Sequence, residues 1–184
     1  MKSLKVTNLM TPLSMCPTVS EEATLREAMS ALDTTRLRVD APDYRPRFVV
    51  VYDKHYNVVG VLRQTDVLKS LEPKYSRIEE SGRVAPSEFD SHAIASLMEE
   101  YDLWDEPLTD MCHRAKDRKV KDIAARPGEE EFIHEDASIA EAIHMMLMGN
   151  RASLLVKGEA GVTGILRLSD IFNVFCKELR QLDS

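Results

Sequence analysis

Two short blocks concentrate the residues with chemistry to offer. One runs Gly60-Val61-Leu62-Arg63-Gln64-Thr65-Asp66, the other Gly164-Ile165-Leu166-Arg167-Leu168-Ser169-Asp170. Each places a guanidinium, a hydroxyl and a carboxylate within four positions. An ionised carboxylate only accepts hydrogen bonds, so it can take two hydroxyl protons at once. A hydroxyl at a helix start stands beside free N–H groups, a ready anion site. Arginine adds a planar, permanently charged fork. Arg47 and Arg151 each precede the apolar run that leads into these blocks. This set suits binding rather than bond-making. The bland reading stands beside it: Asp66 and Asp170 serve helix ends, Thr65 and Ser169 are N-caps, and the arginines are surface residues.

Little else points to chemistry. The chain has five histidines, and Cys112-His113 is its one adjacent Cys/His pair. No CxxC or HExxH spacing accompanies that pair, so no metal site is assigned, and a metal- or redox-responsive protein is the weakest reading. GxSxG, Walker and GxGxxG motifs are absent, and no catalytic residue is assigned. His144 beside Met145, Met146 and Met148 reads as a helix lining. Glu129-Glu130-Glu131 reads as a solvated run.

The elements that must position the blocks come twice. An offset of 114 residues (119 − 5) carries Lys5-Val6-Thr7-Asn8-Leu9 onto Lys119-Val120-Lys121-Asp122-Ile123, and Thr18–Ala28 onto Phe132–Ala142. The two blocks themselves match at 104 (164 − 60), so the first repeat carries ten more residues (114 − 104). They fall at about 33–47, where Asp40-Ala41-Pro42-Asp43 predicts a loop. Each repeat opens with a β-prone piece and continues into a helix. Thr24 with Glu27, and Ser138 with Glu141, fit capping boxes. Leu25, Ala28, Met29 and Leu32, like Ile139, Ala142, Ile143 and Met146, form an apolar stripe. Strands over 48–52 and 58–62, and over 153–156 and 162–166, predict hairpins. Helices near 66–71 and 170–179 close the repeats. The order is β-α-β-β-α, twice: repeat 1 over 1–71, repeat 2 over 118–184. A half of this size buries too little surface alone, so the two are expected to pack sheet to sheet. Between them, 72–117 predicts a partly helical insert: Pro73, Gly82 and Pro86 break it, Asp90 caps a helix with Ile94, Leu97, Met98 and Tyr101 on one side, and Pro107 permits another start.

The net charge of −7 disfavours nucleic acid as a partner. Three cysteines, few and far apart, fit a reducing, cytoplasmic setting. No apolar run approaches a membrane span and no signal peptide is evident.

The doubled pattern resembles a tandem pair of CBS domains, a Bateman module, over about residues 4–71 and 118–180. The pieces that carry it are Val6-Thr7-Asn8-Leu9-Met10-Thr11, the Glu-Glu-Ala-Thr-Leu and Glu-Asp-Ala-Ser-Ile helix starts, and the two Gly blocks. The resemblance implies an α+β fold of two repeats about a pseudo-two-fold. It implies a non-enzymatic regulatory module that binds AMP, ADP, ATP or S-adenosylmethionine between the repeats, needs no cofactor, forms a homodimer and is read by a regulated protein partner. It places the ribose at Asp66 and Asp170, phosphate at Thr65, Ser169, Arg47 and Arg151, and the adenine slot at Val19 and Ile133. Arg63 and Arg167 depart from the family's usual Thr or Ser; they could hold a polyphosphate or fill the cleft. A dimerisation platform with empty clefts is the alternative.

Overall fold

The offset-related segments fold alike. The structure, a computed structural model, describes residues 3–38, 47–81 and 91–182. Strand β1 (Thr11–Pro12) comes first. Repeat 1 then runs β2 (Thr18–Ser20), α1 (Leu25–Arg38), β3 (Phe48–Tyr52), β4 (Val58–Arg63) and α2 (Gln64–Leu71). The insert holds α3 (Lys74–Glu80), α4 (Ser91–Glu100) and α5 (Leu108–Ala115). Repeat 2 runs β5 (Phe132–His134), α6 (Ile139–Met148), β6 (Ser153–Gly158), β7 (Gly161–Arg167) and α7 (Leu168–Leu182). Expectations at Asp40-Ala41-Pro42-Asp43, Gly82, Pro86 and Asp90 lie outside the described residues.

Local signals act as read at the first helices. The Thr24 N–H donates to Glu27 Oε2 at 2.6 Å and the Glu27 N–H returns to Thr24 Oγ1 at 3.3 Å, a closed capping box. Ser138 Oγ likewise accepts from the Glu141 N–H at 3.2 Å. The closing helices correct the sequence reading. They start at Gln64 and Leu168, so Thr65 and Ser169 lie inside the first turn rather than at the N-cap. The helix starts straight from the strand end, and the carboxylate two residues into it does the capping. Asp66 Oδ2 accepts the Arg63 N–H at 2.7 Å, and Asp170 Oδ2 the Arg167 N–H at 3.3 Å. Pro107 is likewise an N-cap rather than a first-turn residue.

The strands form two sheets, ordered β2-β3-β4 and β1-β7-β6-β5. In each, a parallel pair (β2 with β3, β5 with β6) adjoins an antiparallel hairpin. The sheets face one another. Val50 and Val61, paired on one, share a buried cluster with Leu155 and Ile165, paired on the other, and with Cys16 and Phe48. The outer faces bury separate clusters, Leu25, Ala28, Val49 and Leu62 in repeat 1, and Ile139, Ala142, Met146 and Leu154 in repeat 2.

The segments preceding each repeat change sides. Val6 is fully buried in the repeat 2 cluster, and Val120 in the repeat 1 cluster. The Val6 N–H donates to Ala137 O at 2.9 Å, and the Val120 N–H to Ala23 O at 2.8 Å. The Ile139 N–H reaches Leu4 O at 2.8 Å, and the Leu25 N–H reaches Arg118 O at 2.9 Å. Every pair obeys the 114-residue offset. Close approach explains the glycines of the Gly blocks. A Cβ on Gly164 would stand 2.5 Å from Thr11 O, and one on Gly60 3.1 Å from Ala125 O.

The insert is pinned by Glu72, only 2% exposed. Its carboxylate accepts the Trp104 N–H at 2.9 Å and the Lys74 N–H at 3.3 Å, which holds Trp104 in a left-handed conformation at φ 60°. Among the described residues, no helix is long and apolar enough to cross a membrane.

Candidate functional site

The strand-to-helix corners of both repeats meet at one cleft. β4 delivers Arg63 and α2 Thr65; β7 delivers Arg167 and α7 Ser169 and Asp170. Arg47, just before β3, closes one wall, and Ala152 and Ser153, the two residues after its counterpart Arg151, line the cleft from repeat 2. Phe48, Val61 and Phe172 supply apolar surface. The cleft encloses about 810 Å³. A smaller apolar pocket of about 420 Å³ adjoins it, lined by Met29, Leu32, Val49, Leu62, Val67 and Leu68, with Arg47 and Arg63 shared between the two.

Three guanidinium groups thus converge in a protein of net charge −7. The cleft arginines of β4 and β7 have carboxylate partners. Arg167 grips its own Asp170 in bidentate fashion, Nε to Oδ2 at 2.8 Å and NH2 to Oδ1 at 2.6 Å. Both side chains are largely buried, at 22% and 15% exposed. Arg63 pairs across the repeats with Glu131, which precedes β5. The same run gives Glu130, 3.5 Å from Arg151. The reading of Glu129–Glu131 as solvent-facing therefore fails at Glu131. The run sits at the seam between sheets, and an arginine desolvated there needs a counter-charge. Position 131 less the offset of 114 is Pro17, so repeat 1 offers no equivalent acid, and Arg167 turns to Asp170 instead. That asymmetry is visible in the chain; the contact across 68 residues is not.

Of the residues singled out from sequence, the cleft gathers Arg47, Arg63, Thr65, Arg167, Ser169 and Asp170. Asp66 lies a residue behind this lining, its carboxylate on the Arg63 N–H. Arg151 lies beside the cleft on Glu130. Val19 and Ile133 line neither space; they are 7% and 4% exposed, in the cores beneath α1 and α6. Cys16 is a residue the sequence reading missed. It lies in the sheet-to-sheet cluster close enough to feel the charges of both Arg167 and Asp170. Cys112 is exposed and the neighbouring His113 Nδ1 lies 3.2 Å from Lys116 Nζ. Among the described residues no group of three or more His, Cys, Asp or Glu could hold a metal ion.

Comparison with known proteins supplies the rest. The family model described as the CBS domain matches residues 6–73 and 120–177. No curated protein sequence matches the chain significantly. Among solved structures, one similar fold is a CBS domain-containing protein of unknown function from Bacillus anthracis str. Ames Ancestor. It is 15% identical over 96% of this chain and 95% of that one, with a TM-score of 0.60. CBSX2 in complex with AMP is 14% identical over 95% and 98%, TM-score 0.60. The CBS domain of the bacterial CNNM/CorC family Mg2+ transporter in complex with ATP is 18% identical over 93% and 86%, TM-score 0.56. At these identities the likeness speaks for the fold.

Proposed function

The chain belongs to the CBS-domain family, and from that premise we propose that it is a cytoplasmic, non-catalytic regulatory module that takes an adenosine-containing ligand between its repeats. The observation that carries the reading is the convergence of Arg47, Arg63 and Arg167 beside Ser169 and Asp170 in one cleft. Its volume falls in the range of small-molecule sites. Two of the similar structures hold AMP and ATP. Three arginines favour phosphate-bearing ligands over the cationic sulfonium of S-adenosylmethionine, because fork and phosphate match in charge and geometry.

The Arg167–Asp170 pair sets the binding step. The carboxylate that would accept the ribose hydroxyls is already held by its own arginine. A phosphate would draw the Arg167 guanidinium away and release Asp170 Oδ1 for the diol, with Oδ2 still accepting the Arg167 backbone N–H. One ion pair is exchanged for another, so the net gain depends on the phosphate outbidding the carboxylate. A ligand shifts the packing of the repeats only by its differential affinity for the two arrangements, and moving Arg167 at the end of β7 is where that difference arises. The same ion pairs favour a second reading. Arg167–Asp170 and Arg63–Glu131 pair two of the three cleft arginines without a ligand, as a dimerisation platform with empty clefts would.

Thermal melts with AMP, ADP, ATP and S-adenosylmethionine separate the two. A ligand at 100 times its dissociation constant adds about 2.7 kcal/mol, roughly 5–10 °C for a chain of this size. Asp170→Ala is expected to remove the shift, and Asp66→Ala to remove that of any second site. No shift with any of the four leaves the platform; a full shift in both variants rejects the ribose assignment.

A further inference from the structure

We infer that repeat 1 carries a second binding site, the apolar pocket behind the cleft, and that it takes a fatty carboxylate with the head on Arg47 and the tail between α1 and α2. The pocket encloses about 420 Å³. It lies on the helix-covered side of its sheet. Val49 and Leu62 line it from the strands, and both belong to the outer cluster of repeat 1. Met29 and Leu32 of α1 and Val67 and Leu68 of α2 line it from the helices. The cleft instead reaches Val61 of the cluster between the sheets. The two spaces share Arg47, Phe48, Arg63 and Gln64 at a common rim.

Repeat 2 shows the same helix-on-sheet packing closed. Met146 corresponds to Leu32 (146 − 114) and Ile171 to Val67 (171 − 104). Met146 and Ile171 are 1% and 2% exposed, whereas Leu32 and Val67 are only half-buried. The difference starts where the first helix of each repeat ends. After α6 the chain turns back at once: Asn150 is left-handed at φ 48°, and the Arg151 N–H donates to Met146 O at 2.9 Å. The end of α6 at Met148 corresponds to Thr34 (148 − 114), yet α1 runs on to Arg38. The ten extra residues of repeat 1 fall at this same place. A close-packed core leaves no such space. An apolar pocket with polar groups converging at its mouth has the form of a small-molecule site.

The mouth selects the head group. Arg63 is neutralised by Glu131. Arg47 is exposed and has neither hydrogen bond nor ion pair among the described residues. One unpaired guanidinium beside an apolar space matches one negative charge, and its planar fork fits a carboxylate at two points. A phosphate monoester brings close to two charges and leaves the second without a partner there. A cavity of about 150 Å³ holds a benzene ring, so this larger pocket admits an unbranched tail of roughly ten carbons.

Decanoate, 1-decanol and acetate, each added to the full chain carrying methyl-13C methionine, test this. Decanoate is expected to raise the melting temperature and to move the Met29 methyl resonance, identified by its loss in Met29→Leu. 1-Decanol is expected to bind more weakly and acetate not at all. Arg47→Gln is expected to weaken decanoate about tenfold, the loss of one charge-assisted contact. Leu32→Trp and Val67→Phe, which fill the pocket away from the cleft, are each expected to abolish the decanoate shift and to keep any nucleotide shift. No response of the wild type to decanoate in either readout would overturn the inference, and so would an equal response to acetate. Undiminished decanoate binding in both filled variants would do the same. Loss of a nucleotide shift in those variants would give the pocket to the base instead. The Met29 methyl reads the pocket in the wild type whether or not the filled variants fold. The decanoate arm also stands if every nucleotide fails, so the two sites are judged separately.

Discussion

At the scale of single residues, the cleft depends on how each charge is neutralised. Cys16 reports on this from beneath. Burial pushes its thiol up to about 11 from the ordinary 9.0; the Arg167 charge pulls it back down, and the Asp170 charge pushes it further up. The unfolded chain loses that proton first. The contribution to stability is therefore full below about pH 9 and lost as pH rises toward about 11, in total on the order of 2–3 kcal/mol. Denaturant titrations between about pH 8 and 11 are expected to show wild type losing stability faster than Cys16→Ala. Equal slopes would mean that the thiolate is tolerated where it is. A thiol reagent at neutral pH should meanwhile modify exposed Cys112 and spare Cys16. The types of residue in the cleft were legible from the repeated Gly blocks. Their partners were not: pairing Arg63 with Glu131 needs the two sheets to face, and no local pattern encodes a contact across that distance.

At the scale of elements, the corners hold because backbone passes over backbone. Gly164→Ala would drive a Cβ to 2.5 Å from the Thr11 carbonyl, and neither strand can yield without breaking the β1–β7 pairing. A loss of about 1–3 kcal/mol is expected, as for other overpacked sites, read as a lower melting temperature. Gly60→Ala, at 3.1 Å from Ala125 O, is expected to cost less. Equal costs would place the strain elsewhere. Strand and helix identities followed from short-range chemistry, such as the Thr24–Glu27 box and the valine run of β3. The start of α2 and α7 did not, because a hydroxyl at Thr65 or Ser169 looks like an N-cap until Asp66 and Asp170 are seen taking the N–H groups of Arg63 and Arg167. The insert was legible as helical from Pro107 and its apolar spacing, but the task of Glu72, a buried carboxylate on the Trp104 N–H, was not.

At the scale of the whole molecule, each half is completed by chain belonging to the other. Val6 and Val120 are both fully buried across the divide. Neither repeat can melt without opening the other's core, so a single calorimetric transition is expected, with calorimetric and van't Hoff enthalpies equal. Two resolved transitions would show the halves to be independent. The doubling was plain in the sequence, yet the exchange of segments was not: Lys5-Val6-Thr7-Asn8-Leu9 and Lys119-Val120-Lys121-Asp122-Ile123 look identical whether they pack at home or away. The exchange also gives the cleft a mechanical outlet. Gly164, under the Thr11 carbonyl, stands three residues before Arg167 on the same strand. In the proposed module, a ligand that tilts that strand would carry the Thr11 backbone with it, because β1 is paired to β7 at that point.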